Sequence, residues 1–149
     1  MKCLSVLAWN LYPDCCGILI RFPVESLSGF AWNIQSWQAK TLTTSENTTF
    51  AGGFATGRAY ETTFKIYCDG LSDFLLLSEE ELYQSMGMAF YYTQNLVEGA
   101  GGSTLMAALK LKDRIKGKKV VLQMSGGNAS AGEVEKAITY PVFRNGITP

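Results

Sequence analysis

The sequence contains no histidine. A serine or cysteine nucleophile activated by an imidazole is therefore excluded, as are the histidine-based sites that hold most catalytic zinc ions. Cysteine is scarce, limited to Cys3, Cys15, Cys16 and Cys68. Only Cys15 and Cys16 are near one another, and adjacent cysteines suit neither a CxxC redox motif nor a zinc knuckle. Reduced thiols and a cytoplasmic location are the expectation. Net charge is also lacking, with 13 basic residues against 13 acidic ones, so no electrostatic footprint for nucleic acid exists. The basic stretch KLKDRIKGKK (110–119) is interrupted by Asp113 and reads as a solvated helix end. Long apolar runs are absent too. Pro13 and Asp14 break the N-terminal one, which is too short to span a membrane. Trp9 and Asn10, with no A-x-A site after them, argue against a secretory leader.

What is present is enough for one packed domain: 149 residues, 47% apolar and 17% charged. From residue 70 the punctuation is clear. FLLL (74–77) reads as a short buried strand. Ser78 with Glu81 three residues on forms a capping box, and Leu82, Met86, Ala89 and Thr93 then recur at helical spacing. NLV (95–97) reads as a strand and EGAGGST (98–104) as a glycine-rich loop. LMAALKLKDRI reads as a helix ended by Gly117. Val120–Met124 is the next strand, SGGN (125–128) the next loop and AGEVEKAI the last helix. Upstream, TTFAGGFATGRAYETTFKIYC (48–68) reads as a glycine-rich loop followed by a helix from about Arg58. The alternation predicts an α/β fold, a partly parallel sheet flanked by helices. In such sheets ligands sit beyond the carboxyl ends of the strands, where EGAGGST and SGGN would both lie.

Glycine-rich turns at helix N-termini favour anions such as phosphate. Neither standard nucleotide fingerprint is met. GAGGST lacks the third glycine of G-x-G-x-x-G, because Thr104 stands in its place, and no GK[ST] occurs. An unrelated nucleotide-binding domain is thus the weakest of the readings open to this chain.

The stretch LVEGAGGSTLMAALKLKDRIKGKKVVLQMSGGNAS (96–130) resembles the C-terminal part of fold-type II pyridoxal-phosphate enzymes, in particular the threonine and serine dehydratases. Glu98 to Gly101 match that family's E-[PG]-[AS]-G-A helix start, and Ser125 to Asn128 its [SC]-G-G-N. TFAGGFATGR (49–58) is similar to T-[IF]-A-[DE]-G, and LSDFLLLSEEEL (71–82) to the segment that follows it. The resemblance implies the C-terminal portion of a tryptophan-synthase-beta-like fold over residues 24–149, with 1–23 a divergent segment. It also implies pyridoxal 5′-phosphate as cofactor and deamination of L-threonine or L-serine to a 2-oxo acid and ammonia.

The residue roles come from the same resemblance. Ser125 would meet the pyridine nitrogen, Gly126 and Gly127 would keep side chains off the ring, and Asn128 would tie the loop to nearby backbone. Glu98 and Gly53 would line the active site. Each also has a plainer reading: Ser125 as the cap of the last helix, Glu98 as a helix N-terminal acid, Gly53 as a turn.

The departures weigh as much. The family's S-F-K-x-R-G segment, which carries the Schiff-base lysine, is not in this sequence, nor is its phosphate-cradling G-G-G-G run. Gly52 replaces an acidic residue. Glu25 matches a first metal-binding carboxylate of some relatives without the later aspartate, so no metal site is expected. Nor is an effector-binding domain expected after SGGN. The expectation is half of a dehydratase, with no catalytic residue of its own and inactive alone. Its partners would be a small amino-acid substrate and either a separate N-terminal half or another copy. The competing expectation is a non-catalytic remnant that binds a ligand or dimerises.

Overall fold

A computed structural model describes residues 40–42, 48–55, 60–70 and 74–147. Residues 1–23, Cys3, Cys15, Cys16, Glu25 and Arg58 lie outside them. After a short 3-10 turn at Gly52–Phe54 come α1 (Glu61–Gly70), α2 (Glu79–Thr93), α3 (Gly99–Lys110), α4 (Lys112–Ile115), α5 (Ala131–Ile138) and α6 (Val142–Asn145). No helix among the described residues is long and apolar enough to cross a membrane.

The partly parallel α/β sheet is not there. Among the described residues helices are the only regular elements, apart from an isolated bridge at Ser78. FLLL and VVLQM have the composition of strands, but a ladder needs a second backbone about 4.8 Å away. FLLL instead packs on helices, while VVLQM, among the described residues, is bonded to α3 only through the Thr104 hydroxyl on Gln123 O. Leu77 is fully buried in a cluster with Leu82 and Met88 of α2 and Met106 and Ala107 of α3. Val121 is 95% exposed, the reverse of a parallel-sheet interior. Apolar composition signalled burial or extension without specifying the neighbour: for FLLL the neighbour is a helix, and for Val120 and Val121 it is solvent.

α2 is the central element, packing on α3, α5 and α6. Its start is the predicted capping box: Ser78 Oγ accepts from Glu81 N–H at 3.1 Å, and Ser78 N–H donates to Glu81 Oε2 at 2.6 Å. The other oxygen of Glu81 accepts from Lys110 Nζ at 2.7 Å, linking the start of α2 to the end of α3. The buried face carries Leu82, Ser85, Met86 and Ala89, so three of the four expected positions are buried, while Thr93 at the end of the helix is half-buried. Ser85 donates to Leu82 O at 2.7 Å, which satisfies its hydroxyl within its own helix. The helix ends at Gln94 in the left-handed region, φ 58, with its amide donating to Phe90 O and Tyr91 O.

α3 differs from expectation at its start. EGAGGST is not a loop, since the helix begins at Gly99 and includes every one of those glycines. Intrinsic propensity opposes this by about 1 kcal/mol per glycine relative to alanine. Packing overrides it. A Cβ on Gly99 would stand 2.6 Å from the Phe50 ring, and one on Gly102 would stand 2.9 Å from Ser85 O. The glycines let the first turn of α3 press against α2 and Phe50.

Phe50 stacks on Tyr83 with centroids 3.9 Å apart, and Tyr140 continues the stack at 6.0 Å. Burial, and then the carboxylates of Glu79 and Glu133 and the Tyr140 phenol, push the Tyr83 pKa up. The native state therefore keeps this proton after the unfolded chain, with a tyrosine pKa of about 10, has begun to lose it. Stability should fall as pH rises above about 10, less steeply in Tyr83→Phe than in the wild type. Urea midpoints followed from neutral to alkaline pH check this, and identical slopes in the two proteins would refute it.

Candidate functional site

The start of α3 and the SGGN run meet face to face. Residues 98, 101 and 104 share one side of α3, because three-residue steps return to the same face. Along that side lies the segment 123–126. Glu98 N–H donates to Gly126 O at 3.1 Å, Ser125 N–H to Gly101 O at 3.3 Å, and Thr104 Oγ1 to Gln123 O at 2.9 Å. The approach is close because Gly101 has no side chain. A Cβ there would fall 1.6 Å from Ser125 O.

Glu98 is the N-cap residue of α3, yet its side chain makes no capping bond. Its half-buried carboxylate lies over Gly126, where a Cβ would come within 2.0 Å of Glu98 Oε1. Gly126 has φ +75, a conformation that other residues adopt only with strain. Its glycine character thus has a cause in the chain itself, namely the turn and the Glu98 side chain. Gly53 closes the other side of the carboxylate. A Cβ on Gly53 would lie 3.8 Å from Glu98 Oε1 and 2.9 Å from Ala100 Cβ. Gly127 faces open space, with only Leu96 O at 3.9 Å from where its Cβ would be.

The structure thus brings Gly53, Glu98, Ser125 and Gly126 together. It also removes one of the plainer readings. The last helix, α5, is capped by Ser130, whose hydroxyl accepts from Glu133 N–H at 3.3 Å while Glu133 Oε2 accepts from Ser130 N–H at 2.6 Å. Ser125 is therefore not that cap. Its residue is exposed, and its hydroxyl has no hydrogen-bond partner among the described residues. Asn128 is likewise exposed, and its amide makes no tie to nearby backbone among the described residues. Glu98 remains a helix N-terminal acid, favoured there by the dipole, and also the wall between two glycines. Sequence reasoning missed Thr104, noted only as the residue that spoils a nucleotide fingerprint. The signal available was its place one helical face on from Glu98 and Gly101.

Chemically the site offers one carboxylate, a hydroxyl and an amide unengaged among the described residues, and one glycine, Gly127, that leaves open space beside them. That set suits an uncharged or weakly polar ring edge better than a metal ion. Among the described residues no three or more of Cys, Asp and Glu gather as a metal-binding group.

No protein-family model matches the chain. Its sequence is, however, related to amino-acid dehydratases. In particular, the chain is threonine/serine dehydratase-like. It is 31% identical over 114 residues to the catabolic L-threonine dehydratase of Escherichia coli K12, which covers 75% of this chain and 34% of that protein. The catabolic L-threonine dehydratase of Staphylococcus aureus N315 is 30% identical over 126 residues, 82% of this chain and 36% of that protein. The L-threonine ammonia-lyase of Thermotoga maritima is 28% identical over 98 residues, 66% of this chain and 24% of that protein. The chain thus spans between a quarter and about a third of the length of these relatives.

Proposed function

We propose that this chain supplies one wall of a pyridoxal 5′-phosphate site in an amino-acid dehydratase, with L-threonine or L-serine as substrate. The reaction, deamination to a 2-oxo acid and ammonia, is assigned to the complete enzyme and not to these residues alone. The observation that carries the reading is Ser125, exposed and with no hydroxyl partner among the described residues, its backbone held against Gly101 of α3 beside the Gly126 that the Glu98 carboxylate covers, in a chain related to threonine dehydratases.

Bound there, the cofactor would supply the electron sink for loss of the substrate's β-hydroxyl. Ser125 would face its ring nitrogen. A hydroxyl is neutral, so it does not hold a proton on that nitrogen as a carboxylate would, and it tempers the ring to a weaker sink suited to β-elimination. Glu98 would stand at the ring's edge, its position set by Gly53 and Gly126. Gly127 would leave the ring face clear, and Asn128 would offer a donor and an acceptor at the rim. No lysine of this sequence stands in an S-F-K-x-R-G context. The lysine that would bind the cofactor's aldehyde and take the α-proton is therefore assigned to a part of the enzyme outside these residues.

Pyridoxine 5′-phosphate tests the wall without that lysine, because it keeps the ring nitrogen and phosphate and has no aldehyde. In an amide NMR titration of the purified chain, shifts should concentrate on Gly53, Glu98 and Ser125–Asn128. Ser125→Ala should weaken binding by about tenfold, the value of one hydrogen bond at the upper end of the usual range. A 1-deaza analogue should bind both forms alike. No shift at these amides, or equal loss for both ligands, overturns the assignment. Pyridoxal phosphate with borohydride and peptide mapping addresses the lysine: stoichiometric labelling at one site would show that the chain carries its own.

A further inference from the structure

We propose that Thr104 is a positioning residue for Ser125, acting through the peptide chain and touching no ligand. This rests on the reading of Ser125 given above. Three hydrogen bonds lace the face of α3 formed by residues 98, 101 and 104 to the segment 123–126, which runs past it in the opposite direction. Two of them are backbone bonds that any sequence of this shape would make. The third, Thr104 Oγ1 to Gln123 O at 2.9 Å, depends on a side chain.

Its place in the segment gives it leverage. In extended backbone the polar groups of alternate residues turn to the same edge. Gln123 and Ser125 therefore present their backbone to α3 together, as their bonds to Thr104 and Gly101 show. Ser125 is exposed, and Val120 and Val121 just upstream are 45% and 95% exposed, so apolar packing does little to hold the segment at that end. The Gly101 bond, at 3.3 Å, is the longest of the three. Release of Gln123 would leave Ser125 held from one side only, by the Gly126 and Gly101 contacts.

α3 itself is a firm base for such an anchor. Its next residue back, Ser103, is buried and bonded to Ala100 O at 2.6 Å, and Met106 and Ala107 are in the core. Thr104 thus transfers the rigidity of a packed helix to an otherwise thinly held segment.

The experiment compares the wild type, Thr104→Val and Thr104→Ser. Valine keeps the shape and removes the donor, and serine restores it. Amide hydrogen exchange is read at Ser125 and Gly126, with the Leu82 and Met86 amides as reporters of global opening. Pyridoxine 5′-phosphate affinity is read in parallel by NMR titration. Thr104→Val should speed exchange at Ser125 by about fivefold and weaken the ligand by a similar factor, as expected for loss of one modest hydrogen bond. Leu82 and Met86 should be unchanged, and Thr104→Ser should recover most of both losses. Wild-type exchange at Ser125 in Thr104→Val overturns the proposal. So does acceleration shared equally by Leu82 and Met86, which marks general destabilisation. Faster exchange with undiminished affinity overturns it as well, because the position of Ser125 would then not matter to the ligand. If the wild type itself does not bind pyridoxine 5′-phosphate, the cofactor reading fails, and the exchange arm alone decides whether Thr104 places Ser125.

Discussion

Leu82→Ala is expected to lower the unfolding free energy by about 3 kcal/mol, within the range of about 2–5 kcal/mol for buried leucines cut to alanine. Leu82 has no exposed surface and sits where α2, α3 and the 74–77 segment converge, among Leu77, Met88, Met106 and Ala107. Neighbours anchored on three separate segments cannot all collapse into the space left behind. The cavity term therefore adds to the lost transfer energy. Small domains hold only about 5–15 kcal/mol in total, so this one change should consume a large share of the stability. Urea unfolding followed by circular dichroism measures it. A loss below about 1 kcal/mol would mean that this cluster is not the core.

Gly101→Ala has the second large expected effect, and there the sign itself is at issue. In a helix interior, alanine is favoured over glycine by about 1 kcal/mol. Here the new methyl would fall 1.6 Å from Ser125 O, a backbone atom that cannot rotate away. Overpacking of this kind costs about 1–3 kcal/mol, which outweighs the gain in propensity. Net destabilisation of up to about 2 kcal/mol is expected, with the 123–126 segment pushed off α3 and the Ser125 amide exchanging faster. Gly132→Ala is the matched control. That glycine also lies within a helix, α5, but nothing stands within 4 Å of where its Cβ would be. It should be neutral or stabilising by up to about 1 kcal/mol. Thermal unfolding of the two variants side by side decides the matter. Stabilisation by both would show that α3 does not press on SGGN as described.

The two glycines separate what one dimension carries from what three are needed for. The sequence puts Gly101 in a loop and Gly132 in a helix, and in neither case says what stands beside the missing side chain. Only the fold places a carbonyl against one and open space beside the other. Gly126 is the opposite case. Its place in SGGN, after an apolar run, already marked a position where the chain turns and side chains are unwelcome. The structure adds the carboxylate of Glu98 as a further reason.

Local rules determined the caps and the faces of the helices. Ser78 with Glu81, and the apolar spacing from Leu82 to Ala89, act within a turn or two of chain, so their consequences are fixed by sequence neighbours. The relationship to threonine dehydratases was legible for a similar reason, since E-G-A-G and S-G-G-N are short ordered strings. Partner choice was not legible. FLLL and VVLQM are strand-like in composition, yet whether such a run joins a sheet or packs on a helix depends on distant backbone that the run does not encode. The helical start of α3 escaped for the same reason, because glycine's local cost was overturned by contacts with Phe50, Ser85 and Ser125 from three other parts of the chain. The sequence by itself determined which residues carry polar chemistry and, at Ser78, where a helix begins. The tertiary structure alone decided which of those residues meet, because close approach between segments remote in sequence is a property of packing and not of any local preference.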